Sequence, residues 1–201
     1  MKRINQMKRK VMKKIILAVS TAMAFSSLSF NALAAEYEID KKGAHAFINF
    51  KIKHLGYSWL TGRFDDFSGT FTYDEKDVSA SKVSVDINVA SINSNHQKRD
   101  DHLRSDDFLD TAKFQAAKFV STKITDKGNN KIEVTGDLTL HGVTKSISFA
   151  AEKIGEGDDP WGGYRAGFSG SITLQLKDFN ISEKVGKEVA LDLHIEGIRK
   201  S

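Results

Sequence analysis

Six histidines, 26 carboxylates and a few serines flanked by glycine are the groups with which this 201-residue chain could do chemistry. His96 and His102 stand six apart, not the three or four that bring two metal ligands onto one helical face, and no HExxH run exists. Ser169 and Ser171 in Gly167-Phe168-Ser169-Gly170-Ser171 sit within a strand pattern and lack the G-x-S-x-G elbow that exposes a nucleophile. The carboxylate pairs Asp65-Asp66, Asp100-Asp101 and Asp158-Asp159 are neighbours in sequence, so on a strand they diverge, and loop solvation is their simpler role. No glycine-rich loop opens a helix to cradle phosphate, and with no cysteine there is no thiolate nucleophile, thiolate metal site or disulfide. The expectation is a chain that is not an enzyme, holds no metal and carries no cofactor. His102, Arg104 and Asp107 remain, together on a charged segment. They could grip the polar end of a ligand, or Arg104 and its acidic neighbours could only pin that segment in place.

Charge is distributed unevenly. Of 30 basic residues seven lie within residues 1–34, where there is no acidic one, so residues 35–201 hold 23 basic against 26 acidic groups, a net charge of −3. No basic patch is left to neutralise phosphates, which argues against nucleic acid as a partner. Residues 1–34 have the three parts of a secretory leader: a basic stretch ending at Lys14, the apolar run Ile15–Phe25, and small residues at Ala32-Leu33-Ala34. Cleavage is predicted after Ala34. The apolar run of 11 residues is too short to span a hydrocarbon core, which takes about 20, so stable membrane insertion is not expected. Met12, directly before Lys13-Lys14, is a second candidate start. An exported chain without cysteine suits the bacterial periplasm.

The elements that must position any site are strands. Ala46-Ile48-Phe50-Ile52, Val83-Val85-Ile87-Val89, Ile132-Val134-Gly136-Leu138-Leu140 and Val189-Leu191-Leu193-Ile195 alternate with polar residues, the period of a half-buried strand. Less regular runs predict strands at 36–40, 67–74, 117–125, 145–154 and 164–176. Turn residues at 126–130, 141–142 and 155–160 separate them. Only residues 96–111 break the pattern, charged and non-alternating, and they predict a short helical segment. The fold class expected is all-β, one antiparallel barrel or sandwich over residues 35–201. Glycines inside strands (Gly69, Gly136, Gly167, Gly170) mark bends, bulges or close approaches.

Four runs carry a resemblance: Phe50-Lys51-Ile52-Lys53-His54-Leu55-Gly56, His102 to Asp110, Gly136 to Lys145, and Asp158 to Phe168. Together, and in this order, they resemble the YceI-like family of exported, lipocalin-like proteins. Phe114-Gln115 departs from the family's usual proline after the aromatic residue, a change expected to loosen the entry to the next strand.

What the resemblance implies is an eight-stranded barrel with an elongated apolar channel holding an isoprenoid chain, as an isoprenoid quinone or polyprenyl lipid. The inward-facing residues expected to line it are Phe50, Ile52, Val85, Ile87, Leu138, Leu140, Phe149, Phe168, Leu191 and Leu193, although the same ten could fill a solid core. His102, Arg104 and Asp107 are the candidate head-group contacts. The role expected is carriage, storage or sequestration in the periplasm, with a homodimer as a candidate assembly. An enzyme or redox accessory acting on a quinone head group, and a stress-related structural protein with a solid barrel, stay open.

Overall fold

The computed structural model describes residues 34–201; the predicted leader lies outside the described residues except for Ala34. Strands β1 (Ala35–Ile39) and β2 (Phe47–His54) pair with successive stretches of the last strand, β11 (Glu188–Arg199). They are one long strand interrupted by an excursion at residues 40–46. In the same way β3 (Ser58–Phe64) pairs with β2 while β4 (Phe67–Tyr73) pairs with β1, so the two form one strand broken at Asp65-Asp66. A third broken strand consists of β5 (Lys82–Asn88) on β4 and β6 (Ile92–Asn93) on β3. Four unbroken strands follow, β7 (Ala116–Gly128), β8 (Lys131–Leu140), β9 (Val143–Asp158) and β10 (Tyr164–Gln175), each antiparallel to the one before, and β11 closes the circle. The result is a closed, eight-stranded, up-and-down antiparallel barrel, which leaves no long free edge.

In such a meander successive connections alternate between the two ends. The helix end carries the β2–β3 hairpin, residues 94–115, the turn His141-Gly142 and the connection 176–187. The far end carries the β4–β5 connection, the turn Asn129-Asn130 and the turn at 159–163. Strand β3 was not among the predicted strands. Its inner face reads Leu60-Gly62-Phe64, and the central glycine blurs the alternation; Gly62 is required because a Cβ there would strike the Phe50 ring and the Asn93 carbonyl.

The helical segment is α1 (Gln97–Arg104). His96 caps it, its Nδ1 accepting the Arg99 N–H at 3.2 Å. Buried Asp100 accepts hydrogen bonds from the Ser94 N–H (2.8 Å) and the Ser94 hydroxyl, tying the first turn to the end of β6. The Arg104 guanidinium donates to the carbonyls of Ala90 (2.7 Å) and Ile92 (2.8 Å), tying down the last turn. These bonds orient Leu103, Phe108 and Leu109 into the barrel mouth.

A second clasp holds the 40–46 excursion on the outer wall. Arg165 Nη1 donates to Asp40 and Glu196, each at 2.6 Å, and its Nε donates to Asp159 at 2.8 Å. Burial alone would raise the Asp40 pKa, but hydrogen bonds from Arg165, His45 and the Gly43 N–H outweigh it and hold the carboxyl at about 2, below the ordinary 3.8.

Candidate functional site

The barrel interior is filled at one end and hollow at the other. At the far end Tyr37 stacks on Phe71 at 4.8 Å, and Phe168 meets Phe71 and Tyr73 edge-on at 5.5 and 5.2 Å. Above this cluster Lys153, only 9% exposed, continues the inward-facing row of Phe149 and Ala151. Its ammonium lies 5.0 Å from the Tyr73 ring centre and pairs with Glu75 at 3.1 Å and Glu156 at 3.3 Å. Burial would lower the Lys153 pKa, but the two carboxylates dominate and hold it charged, above the ordinary lysine range. The far end thus carries an ion-paired cluster of one ammonium and two carboxylates over an aromatic floor.

Two adjoining cavities occupy the rest of the interior. The inner one, about 150 Å³, exposes only apolar surface, from residues including Val85, Phe119, Val134, Phe149 and Phe168. The outer one, about 330 Å³, lies toward the helix end between Ile52, Leu60, Phe64, Leu140, Leu176 and Val189, with Leu103, Phe108 and Ile181 of the connections also on its lining. Ile48, Ile87, Leu138 and Leu191 line both, so the two run end to end as one channel. The outer volume alone reaches the lower end of the roughly 300–1,000 Å³ typical of small-molecule sites. Phe119 narrows the inner cavity because its ring lies across Gly136, where a Cβ would collide with it.

All ten residues expected to face inward line this channel. Phe50, Ile52 and Leu140 line the outer cavity, Val85, Phe149, Phe168 and Leu193 the inner, and Ile87, Leu138 and Leu191 both. Their alternation makes the phase legible, since a one-residue slip would have turned each outward.

The three polar candidates separate. His102 lines the outer cavity, its ring edge-on to Phe108 at 4.9 Å and its Nε2 at 3.2 Å from Asp107. Asp107 does not line the cavity; it couples His102 to Lys184, whose Nζ donates at 2.9 Å, and these partners hold its pKa below the ordinary value. Arg104 takes the other of the two roles open to it. Three of its N–H donors go to the Ala90 and Ile92 carbonyls and to Asp101, so it pins α1, and it is not among the residues lining the cavity.

Two polar residues that the sequence reading passed over do line the outer cavity: His54 at the end of β2 and Arg99 in α1. His54 continues the inward row Ile48-Phe50-Ile52, a signal present in the sequence. Arg99 is brought in by the fold alone, where its Nε and Nη2 donate to the Ser94 hydroxyl (2.7 Å) and carbonyl (2.6 Å).

Among the described residues Asp40, His45 and Glu196 are the group whose ligand atoms converge closely enough for a metal ion. The guanidinium of Arg165 hydrogen-bonds both carboxylates, so the cationic position between them is already taken by the protein. The donor set fits an ion-pair clasp and not a metal centre.

Comparison with known proteins follows the same lines. The YceI-like domain matches residues 37–197. A UPF0312 protein of Vibrio vulnificus (strain YJ016) is 54% identical over 190 residues, 94% of this chain and all of that one, and a UPF0312 protein of Pseudomonas aeruginosa (strain LESB58) is 54% identical over 193 residues with the same coverage. Among solved structures, the Campylobacter jejuni YCEI protein aligns with a TM-score of 0.67 at 33% identity, covering 75% of this chain and 91% of that one. A polyisoprenoid binding domain from Saccharophagus degradans shares the fold at a TM-score of 0.63 and 17% identity, over 83% and 99% of the two chains. Barrel, channel and sequence agree that this chain belongs to the YceI-like family.

Proposed function

We propose that this protein holds an isoprenoid chain, of a quinone or polyprenyl lipid, inside its barrel, and that it is exported to the periplasm as a carrier or sequestering protein. The observation that carries the reading is the end-to-end apolar channel, with the aromatic cluster toward the far end and His54, Arg99 and His102 on its lining at the helix end. A chain with no polar group along its length needs a lining with none. Each methylene buried there contributes about 0.8 kcal/mol, so several isoprene units bind without any charged contact. A lipid-binding barrel, rather than an enzyme, is also what a structural neighbour described as a polyisoprenoid binding domain suggests. The tail would run past Leu138 and Leu191 toward Phe149 and Phe168. The head group would rest at the mouth among His54, Arg99 and His102, with Asp107 steadying His102 from behind. Export rests on the leader-like residues 1–34.

Organic extraction and mass spectrometry of protein purified without detergent tests this reading. A stoichiometric isoprenoid species is expected. Protein that carries none and shows no saturable binding of a quinone after delipidation would overturn it.

A further inference from the structure

The β2–β3 hairpin exposes an apolar tip that nothing in the fold explains. Seven large hydrophobic residues are exposed among the described residues, and three of them, Leu55, Tyr57 and Trp59, fall within five consecutive positions, with Tyr57 86% exposed. The turn places Leu55 at φ 49° and Gly56 at φ 85°. Asparagine or glycine takes the first of these positions with little strain, whereas leucine is disfavoured there and leaves its side chain in water. From Phe47 to Phe64 the hairpin carries Lys51, Lys53 and Arg63 and no acidic residue, against a net charge of −3 for residues 35–201. Lys51 reaches over the Trp59 ring at 4.8 Å, and Lys53 is its cross-strand partner. Neither lysine is in an ion pair among the described residues. The acidic residues of this end's connections sit away from the hairpin: Asp100, Asp101, Asp106, Asp107 and Asp110 within residues 94–115, and Asp178 and Glu183 within 176–187. The hairpin also forms part of the channel mouth, since Ile52, His54 and Leu60 line the outer cavity.

We infer that the β2–β3 hairpin is a docking tip for an anionic phospholipid surface. Leu55, Tyr57 and Trp59 enter the headgroup region, where amphipathic aromatic rings partition favourably. Lys51 and Lys53 meet the phosphates, each worth about fivefold in affinity. Docking in this way sets the helix end of the channel against the bilayer and leaves the far end in water. The inference stands on surface residues and geometry, and it needs no particular cargo.

The protein carries two tryptophans, Trp59 and Trp161, and Trp161 lies on the far-end turn. In a Trp161→Phe background, protein purified from cells expressing the full chain is titrated with vesicles of phosphatidylcholine, with and without one-third phosphatidylglycerol. Trp59 emission should shift to the blue and be quenched by brominated lipid, with the anionic vesicles bound more tightly. Leu55→Ser with Tyr57→Ser should weaken binding at least tenfold, and Lys51→Gln with Lys53→Gln should remove about 25-fold of the anionic preference. Trp59 emission unchanged by either vesicle overturns the inference. So does a tip already shielded without lipid, in protein whose sedimentation shows a second copy covering it. Isoprenoid content measured on the same samples keeps the two readings apart: loss of docking with cargo retained rejects the docking tip alone, and docking without cargo rejects the cargo alone.

Discussion

At the far end of the barrel Lys153 pairs with Glu156 and Glu75 over the packed rings of Tyr37, Phe71 and Phe168. At the helix end His54, Arg99 and His102 ring a cavity of about 330 Å³, and the residues above it sit on connections and not on barrel strands. Both ends place polar groups near an apolar interior, so polarity alone does not separate plug from mouth. The difference lies in whether the charges are paired across the opening. A buried charge with complete partners closes a barrel, because removing one partner would strand the other in a low-dielectric interior. Groups that line a rim and keep unused donors or acceptors leave a place for something else to be bound.

The two clasps that hold the interruptions offer the largest effects with which to break this comparison. Arg165→Ala would leave Asp40 buried without its main partner, at an expected cost of about 3–5 kcal/mol in urea denaturation. Arg104→Ala removes two hydrogen bonds to carbonyls from a partly exposed helix end and should cost only about 1–3 kcal/mol. Equal losses would show that the two ends are held alike.

Acid titration sharpens the same point. The Asp40 carboxyl is depressed from 3.8 to about 2, so the stability it contributes is complete above pH 4 and lost as the pH falls through 2. About 2 kcal/mol should disappear over that window, and Arg165→Ala should flatten the dependence in denaturation curves taken at stepped pH. Lys153 has the opposite sign: its raised pKa gives stability that is present below pH 10.5 and lost as the pH rises beyond it.

Smaller effects are expected within the plug and at the mouth. Lys153→Met replaces a buried ion cluster member by an apolar side chain of similar length. Because Glu156 keeps partial exposure and can meet water, the change should stay within about 1–2 kcal/mol of the parent in thermal unfolding. A loss much larger than that would mean the plug is a structural necessity and not only a closure. His102→Ala should change stability least, within about 0.5 kcal/mol, since its pair with Asp107 is largely exposed. If the head group rests at the mouth, the same variant should lower the retained lipid measured by extraction while the tail still binds.

Period-two alternation made the inner faces of the regular strands legible, because a strand in a closed barrel has only two faces and one must be apolar; Phe149 and Phe168, on less regular runs, and the channel itself came from the family resemblance. For the same reason His54 could have been found as the next member of an inward row. The alternation failed at β3, where Gly62 gives way to the Phe50 ring, and it could not show that β1 with β2, β3 with β4, and β5 with β6 are single strands with breaks. Breaks are visible only in the pairing, since a strand's neighbours lie far away in sequence.

The sequence by itself determined the all-β class, the inner faces, the helical interruption at α1 and the charge contrast between residues 1–34 and the rest, because each depends on local periodicity or composition. Only the tertiary structure decided which end carries the Lys153 cluster, that Arg104 ties α1 to the Ala90 and Ile92 carbonyls, and that Arg99 reaches the channel. Those outcomes depend on which groups meet once the chain has folded, as Lys153 meets Glu75 from 78 residues away, and no local pattern encodes such a meeting.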